Sequence, residues 1–232
     1  MSLCFNADVY TLLFVGIFAC MIERMKTLSI TTKKGGAGKT AIATSIAAIA
    51  AGEGLNVAII DIDPQASACV WADVRDADDS VPSVAVVSVA PSRLDKEIEK
   101  CQKAKIALCI VDTAPSADSG LLAAVRAGDL CLLPSRPGLA DLAALKDTVQ
   151  LLNERNAATV LNAVTTKALK IEGVRSLEGL DLPVAPVAIW QRVAWSHAFS
   201  GGWGVSEYEP KGKAADELRR LWQWIKQELE LS

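Results

Sequence analysis

The residues with the most specific chemical pattern form a glycine-rich loop at positions 33–40, which reads KKGGAGKT. Glycines at three of these positions, Gly35, Gly36 and Gly38, leave room for several backbone N–H groups to converge on one phosphate. The strand-like run KTLSITT precedes the loop, and the Ala/Ile-rich run TAIATSIAAIAA follows it. We therefore expect the loop to join a strand to a helix, whose N-terminus favours an anion.

Two further residues of this loop suit a nucleoside triphosphate. Lys39 can neutralise the β- and γ-phosphates, and Thr40 can offer its hydroxyl to Mg²⁺. The strict pattern G-x-x-x-x-G-K-[ST] fails at its first position, which is Lys33 here. The intact G-K-T still predicts a phosphate site rather than a glycine-rich turn with solvated lysines.

Acidic residues end two apolar, strand-like segments. Asp61 and Asp63 belong to AIIDIDPQ, and Asp112 belongs to ALCIVDTAPS. Ligands of parallel sheets sit at the carboxyl edge of the strands, where these carboxylates could hold Mg²⁺ and position a water molecule. The alternative for each aspartate is a helix cap or a turn after a strand.

The loop resembles the deviant Walker A motif, K-G-G-x-G-K-[ST], of the ParA/MinD family of ATPases. The acidic segments resemble that family's D-x-D-P-Q segment and its Walker B strand, although Ala114 stands where the family often has a second proline. The resemblance implies that Lys34 reaches across a dimer interface to the partner's nucleotide and that Asp63 orients the attacking water. It places Asp61 near the outer shell of the metal and gives Asp112 the role of holding Mg²⁺.

The resemblance extends over residues 25 to about 230 and is loose after Thr165. It identifies LCLLPSRPGLADLAAL, residues 130–145, as a strand, proline loop and helix near the dimer face. It also places Asn162 against the adenine, although a polar residue near a loop is the alternative. The nucleotide contacts that it implies are Lys34, Gly35, Gly36, Ala37, Gly38, Lys39, Thr40, Ala41 and Asn162.

A function follows from the resemblance. It implies a Mg²⁺-dependent ATPase that forms a homodimer when it binds ATP. The ATP-bound dimer would bind DNA non-specifically. A small ParB-like adaptor or centromere-binding protein would stimulate hydrolysis and so return the protein to its starting state. Such a cycle partitions plasmids or chromosomes or positions other cargo, in a cytoplasmic, nucleoid-associated protein. One alternative is a membrane-associated division-site ATPase like MinD. The other is a metabolic ATP-dependent enzyme on the same fold, which Lys34 argues against.

Charge and composition narrow these functions. The net charge of -3 supplies no strong basic field, so DNA binding would need a local patch. Basic residues near the C-terminus could form one, although acidic residues are interspersed and a solvated face is the alternative: Lys211, Lys213, Arg219 and Arg220 among Glu207, Glu209, Asp216 and Glu217. The single histidine, His197, excludes a His-rich metal site.

Alternating apolar strands and helices predict one α/β domain over residues 25–232. We expect a mostly parallel, twisted sheet with helices on both faces, because the strands are continuously apolar. The resemblance to the ParA/MinD family implies that this sheet belongs to the P-loop NTPase fold. The predicted strands span 26–32, 56–61, 83–89, 106–112, 129–134 and 158–164, with a short one near 184–189. The predicted helices span 40–51, 65–77, 92–104, 117–127, 139–155 and 216–231.

Both ends of the chain raise the question of membrane contact. Residues 1–24 contain the apolar run VYTLLFVGIFACMI, which is short for a bilayer crossing. We favour a start codon assigned too far upstream over a packed element or a membrane anchor. The C-terminal helix has an apolar stripe, but Glu228 and Glu230 follow its basic residues, so packing on the sheet is favoured and a membrane partner is not expected.

Overall fold

The computed structural model describes residues 24–115, 119–152, 156–179 and 182–231. These residues form one parallel sheet in the order β3-β2-β4-β1-β5-β6. The strands are β1 (Lys26–Ile30), β2 (Val57–Asp61), β3 (Ala85–Ser88), β4 (Leu108–Asp112), β5 (Leu130–Ser135) and β6 (Ala157–Leu161). Strand β4, which is buried along its whole length, lies between β1 and β2.

Helices cover both faces of this sheet. They are α1 (Lys39–Gly52), α2 (Ser67–Arg75), α3 (Leu94–Lys103), α4 (Ser119–Ala127), α5 (Leu139–Val149), α6 (Lys167–Glu178), α7 (Val193–Ser200), α8 (Val205–Tyr208) and α9 (Lys213–Leu229). One face packs against α1, α2 and α7 to α9, and the other against α3 to α6. Alternate residues of each strand therefore enter cores on opposite sides, which explains the continuous apolar runs.

The predicted fold class is confirmed, and several local expectations are corrected. The helix predicted over 92–104 begins at Leu94, because a 3₁₀ turn spans Pro91–Arg93. The expected strand near 184–189 is reduced to isolated bridges at Val184 and Trp190. Residues 117–118 and 153–155 of two predicted helices lie outside the described residues, as do residues 1–23.

The segment that follows β6 is bound tightly to α2. Arg75 is fully buried and forms a bidentate ion pair with Glu207, at 2.7 and 2.8 Å. The same guanidinium donates to the carbonyl oxygens of Gly202 and Pro82. These bonds fix α2 against the α7–α8 region, and α2 directly follows the loop that carries Asp63.

Candidate nucleotide-binding site

The glycine-rich loop lies between β1 and α1, as predicted. Gly36 and Gly38 both have a left-handed backbone, with φ of 69° and 86°. Gly38 is the N-cap of α1, and its carbonyl oxygen accepts the N–H of Ile42 at 3.0 Å. A Cβ atom on Gly38 would lie against the Nδ2 atom of Asn162, so glycine is required there for both conformation and space.

Lys39 begins α1 with a largely buried side chain, which is 6% exposed. Burial lowers the pKa of Lys39, and the nearby carboxylates of Asp112 and Asp63 oppose that shift. Asp112, at the end of β4, and Asp63, two residues after β2, are thus both within electrostatic range of the loop lysine. The structure brings together three of the side chains that the sequence predicts for the site.

Asp112 has the surroundings of a cation ligand. It ends β4, its side chain is fully buried, and neither carboxylate oxygen has a hydrogen-bond partner within the described part of the chain. Burial raises the pKa of Asp112 to about 7, and the nearby Thr40 hydroxyl and Lys39 ammonium act against that rise. A buried carboxylate without partners is costly unless a ligand satisfies it, so Asp112 and Thr40 fit Mg²⁺.

The cation would need more than these two side chains. The described residues contain no group of three histidine, cysteine or acidic side chains that could hold a metal. Mg²⁺ is commonly bound by one or two carboxylates together with substrate phosphates and water. The donor set therefore fits a cation that arrives with a phosphate ligand rather than a separate metal centre.

Both carboxylate oxygens of Asp61 accept hydrogen bonds from backbone N–H groups. Its Oδ1 accepts the N–H of Asp63 at 2.9 Å, and its Oδ2 accepts the N–H of Ala68 at 3.0 Å. Burial raises the pKa of Asp61, and these two bonds oppose the shift. Asp61 therefore fixes the start of α2 and the position of Asp63, while its outer-shell role stays a prediction.

Asp63 is placed differently from Asp61. It is partly exposed, and its Oδ1 accepts the N–H of Gln65 at 2.9 Å in a local turn. Since Asp63 also acts on the pKa values of Lys39 and Asp112, its carboxylate lies near the candidate metal ligand. The arrangement is compatible with positioning a water molecule, the role that stays predicted for Asp63.

Asn162 lies immediately after β6 and contacts the phosphate loop. Its Nδ2 donates to the carbonyl oxygen of Ala37 at 2.6 Å, and its backbone N–H donates to the carbonyl oxygen of Ser135 at 2.7 Å. The side chain is 8% exposed. Sequence reasoning predicts a base contact here, and the structure adds a bond that holds the loop itself.

A cavity of about 140 Å³ opens beside the loop and Asn162. Residues from four separate segments line it, including Gly38, Arg136, Asn162, Trp190 and Trp195. The site residues predicted from the sequence include neither its arginines nor its tryptophans. Trp190 and Trp195 do pack on the cores, but they also line this cavity. No local motif signals these residues, because the fold alone brings their segments to the loop.

The residues that form this site lie in a segment that matches a known protein family. Residues 28–201 match the family of CobQ/CobB/MinD/ParA nucleotide binding domains. The chain belongs to this family. The match covers the phosphate loop, all three aspartates and Asn162, and it supports the resemblance drawn from the motifs.

Individual relatives agree with this assignment. Maintenance of carboxysome distribution protein A from Gloeobacter kilaueensis is 30% identical over 212 residues, covering 88% of this chain and 94% of the relative. The protein of the same name from Halothiobacillus neapolitanus is 27% identical over 212 residues, covering 84% and 94%. The structure of the septum site-determining protein MinD from Pyrococcus horikoshii, complexed with Mg-ADP, is 17% identical, has a TM-score of 0.75, and is matched over 88% of this chain and 96% of its own.

Proposed function

We propose that this protein is an ATP-dependent, dimerising ATPase of the ParA type that positions cargo while bound to DNA. The observation that carries the proposal is the grouping of Lys39, Asp63 and Asp112 at the phosphate loop, with both oxygens of buried Asp112 unsatisfied by the described residues. Two comparisons support ATP and Mg²⁺ as the ligands. The chain matches a family of nucleotide binding domains, and its fold is similar to that of a MinD structure complexed with Mg-ADP.

Each residue has a distinct role in this proposal. Lys39 neutralises the β- and γ-phosphates, and the backbone N–H groups from Gly35 to Ala41 surround them. Thr40 and Asp112 hold Mg²⁺, which when bound neutralises developing phosphate charge. Asp63 orients the attacking water, and Asp61 keeps that segment in place through its bonds to the backbone. Asn162 holds the loop and contacts the base.

Lys34 supports the dimeric form of the mechanism. Its side chain is exposed, and its backbone N–H is within 3.5 Å of the Thr32 hydroxyl oxygen. No ion pair restrains Lys34 among the residues that the structure describes. A free cation on the outside of the phosphate loop suits a contact with the nucleotide of a second subunit.

The structure strengthens the case for a DNA-binding patch near the start of α9. Glu207 and Glu217, two acidic residues that could weaken the patch, are paired internally with Arg75 and Arg192 at 2.7 and 2.6 Å. The basic residues Lys211, Lys213, Arg219 and Arg220 are exposed. Glu209 and Asp216 remain as exposed opposing charges, so the local surface is net positive. Dimerisation would double this patch, which makes DNA binding depend on ATP.

The cargo belongs to one of two proposed classes. Both relatives described above are named for carboxysome distribution, so a large protein assembly is one class. A plasmid or chromosome locus bound by a small adaptor is the other. In either case a small partner protein would link the cargo to the ATP-bound dimer and stimulate its hydrolysis.

The membrane alternative lacks a free apolar surface on α9. Its stripe, Leu218, Leu221, Trp222, Ile225 and Leu229, is buried in the core with α1. Among the helices of the described residues, none combines the length and the apolar character that a bilayer crossing requires. Membrane docking through α9 would require this helix to leave the core.

Two binding measurements test the proposed function. Sedimentation with Mg-ATP, Mg-ADP and no nucleotide should reveal a dimer with ATP alone, and fluorescence anisotropy should detect binding to unrelated DNA duplexes only in that state. Sedimentation with anionic liposomes provides the comparison, and we expect no ATP-dependent capture. Equal DNA binding in ATP and ADP, or capture by liposomes in ATP, would contradict the proposal.

A further inference from the structure

Arg136 lies in the segment 130–145, but it is not among the nucleotide contacts predicted from the sequence. It follows β5 directly, and β5 is hydrogen-bonded to β1, the strand that leads into the phosphate loop. The neighbouring backbone is fixed at this edge: Asn162 donates to the carbonyl oxygen of Ser135 at 2.7 Å, and the Ser135 hydroxyl donates to that of Arg136 at 3.1 Å. The sheet thus sets where the Arg136 side chain begins.

The guanidinium of Arg136 reaches the phosphate loop. Its Nη2 atom lies 3.3 Å from the position that a Cβ atom would take on Gly36. Since Gly36 also has a φ of 69°, the missing side chain serves both the loop conformation and the close approach of the arginine. Arg136 further lines the cavity that contains Gly38 and Asn162.

The charge of Arg136 is not neutralised internally. The side chain is exposed, and no carboxylate among the described residues forms an ion pair with it. Arg75 and Arg192, by contrast, are each paired with a glutamate. A guanidinium presents a fork of N–H donors that matches phosphate oxygens bidentately. An unpaired fork beside a phosphate loop is suited to an anion bound in that loop.

We propose that Arg136 is a nucleotide-positioning residue that contacts the phosphates of the nucleotide bound in its own subunit. This inference rests on the proposed function, because it requires a nucleotide in the loop. It adds a second cation to Lys39, delivered from β5 rather than from the loop itself. Lys39 is 6% exposed, whereas Arg136 and the Gly36 that its guanidinium approaches are both exposed.

The test compares R136Q and R136K with R126Q. Arg126 is an exposed arginine in the last turn of α4, so R126Q makes the same charge change away from the loop. Equilibrium titration with fluorescent ATP, ADP and adenosine would measure affinity. We expect R136Q to weaken ATP and ADP binding about tenfold or more, the scale of a charged hydrogen bond, and to leave adenosine binding unchanged. R136K should lose less, and R126Q nothing.

Thermal unfolding without nucleotide separates binding from folding. Arg136 is exposed and forms no ion pair with any residue that the structure describes. The midpoint temperature of unfolding of R136Q should therefore equal that of the wild type. ATP affinity equal to that of the wild type would overturn the proposal. Unchanged affinity with lost ATP-driven dimerisation would instead assign Arg136 to the partner's nucleotide. A wild-type protein that binds neither nucleotide would contradict the proposed function rather than this residue's role.

Discussion

The side-chain amide of Asn162 donates a 2.6 Å hydrogen bond to the carbonyl oxygen of Ala37, joining the end of β6 to the phosphate loop. The bond is buried and spans 125 positions of the chain. It couples the residue predicted to contact the base with the backbone predicted to hold the phosphates. We therefore expect Asn162 to act on nucleotide binding through the loop as well as through any contact of its own.

Replacing Asn162 tests this coupling. N162A leaves the Ala37 carbonyl without its partner, and N162D adds a carboxylate next to that oxygen and to the phosphates. We expect ATP affinity to fall about tenfold in N162A and further in N162D, because the loop loses a buried bond and then gains a repulsion. Calorimetric titration with ATP and GTP measures both effects.

A matched variant and a second nucleotide sharpen that measurement. Thr165 is exposed and lies three residues further on, so T165A should bind ATP like the wild type. A base contact also predicts that the preference for ATP over GTP shrinks in N162A. If the preference and the affinity both survive, Asn162 has neither role.

Lys39 provides the most direct test of the loop. K39A should reduce ATP affinity at least about 100-fold, since the variant loses the cation assigned to two phosphates. K33A is the control, because Lys33 is a lysine of the same loop with no assigned contact. Fluorescent nucleotide titration measures both variants, and circular dichroism checks that K39A folds with Asp112 and Asp63 no longer facing a cation. Tight binding by a folded K39A would contradict the loop assignment.

The phosphate loop and its aspartates could be predicted from sequence because they depend on short-range chemistry. Glycines, a lysine and a threonine at fixed spacing specify the loop, and apolar runs ending in aspartate specify strand ends. The bond from Asn162 and the approach of Arg136 depend on the order of β1, β5 and β6 in the sheet, and no local pattern carries that information.

The secondary structure likewise separates into elements that the local sequence predicts and elements that depend on tertiary contacts. Strands β1 to β6 follow from continuous apolar runs, whereas the sequence pattern does not predict α6, α7 and α8. Helix α6 reads KALKIEGVRSLE, with Gly173 inside it, and much of its surface is exposed. It has a weak apolar stripe, and its packing against Pro137 and Leu161 uses the space that Gly173 leaves. Such tertiary contacts override local propensity.

The two aspartates of the D-x-D-P-Q segment should respond differently to substitution. D63A should bind ATP, dimerise and fail to turn over, because Asp63 is assigned to the water rather than to the nucleotide. D73A is the control, since Asp73 is an exposed carboxylate on α2. Phosphate release and sedimentation in ATP measure the two steps. Full turnover by D63A would move the role to another residue, with Asp61 the next candidate.

Asp61 should instead affect folding. D61A removes both oxygens that accept the N–H groups of Asp63 and Ala68, so two backbone donors lose their partners. We expect the free energy of unfolding to fall by about 2–4 kcal/mol, on the basis of 1–3 kcal/mol for each unsatisfied donor with some recovery from water. D61N keeps one acceptor and should lose about half as much in urea unfolding. A D61A protein as stable as the wild type would remove the capping role.

Removal of residues 1–24 should leave a folded ATPase. The strands, loops and helices that carry the predicted nucleotide-site residues lie between Lys26 and Asn162, and the truncation removes an exposed 3.4 Å ion pair between Arg24 and Asp129. Exposed pairs contribute about 0–1 kcal/mol, so the unfolding midpoint should change little. Aggregation or loss of the thermal transition would show that the segment packs on the domain, and loss of membrane binding would favour the anchor.

Charge reversal at the start of α9 tests the proposed DNA patch. Arg219 donates to the carbonyl oxygen of Pro210, Arg220 lies 3.6 Å from Asp216, and both side chains remain exposed. The double variant R219E/R220E should weaken ATP-dependent binding about equally on unrelated duplexes, because phosphate contacts carry no sequence information. The slope of log K against log salt should become shallower by about 0.9 for each phosphate that the variant no longer neutralises.

The control K96E/K103E changes the net charge equally on α3, on the opposite face of the sheet, and should retain the wild-type slope. Equal losses in both double variants would mean that net charge, rather than this patch, governs binding.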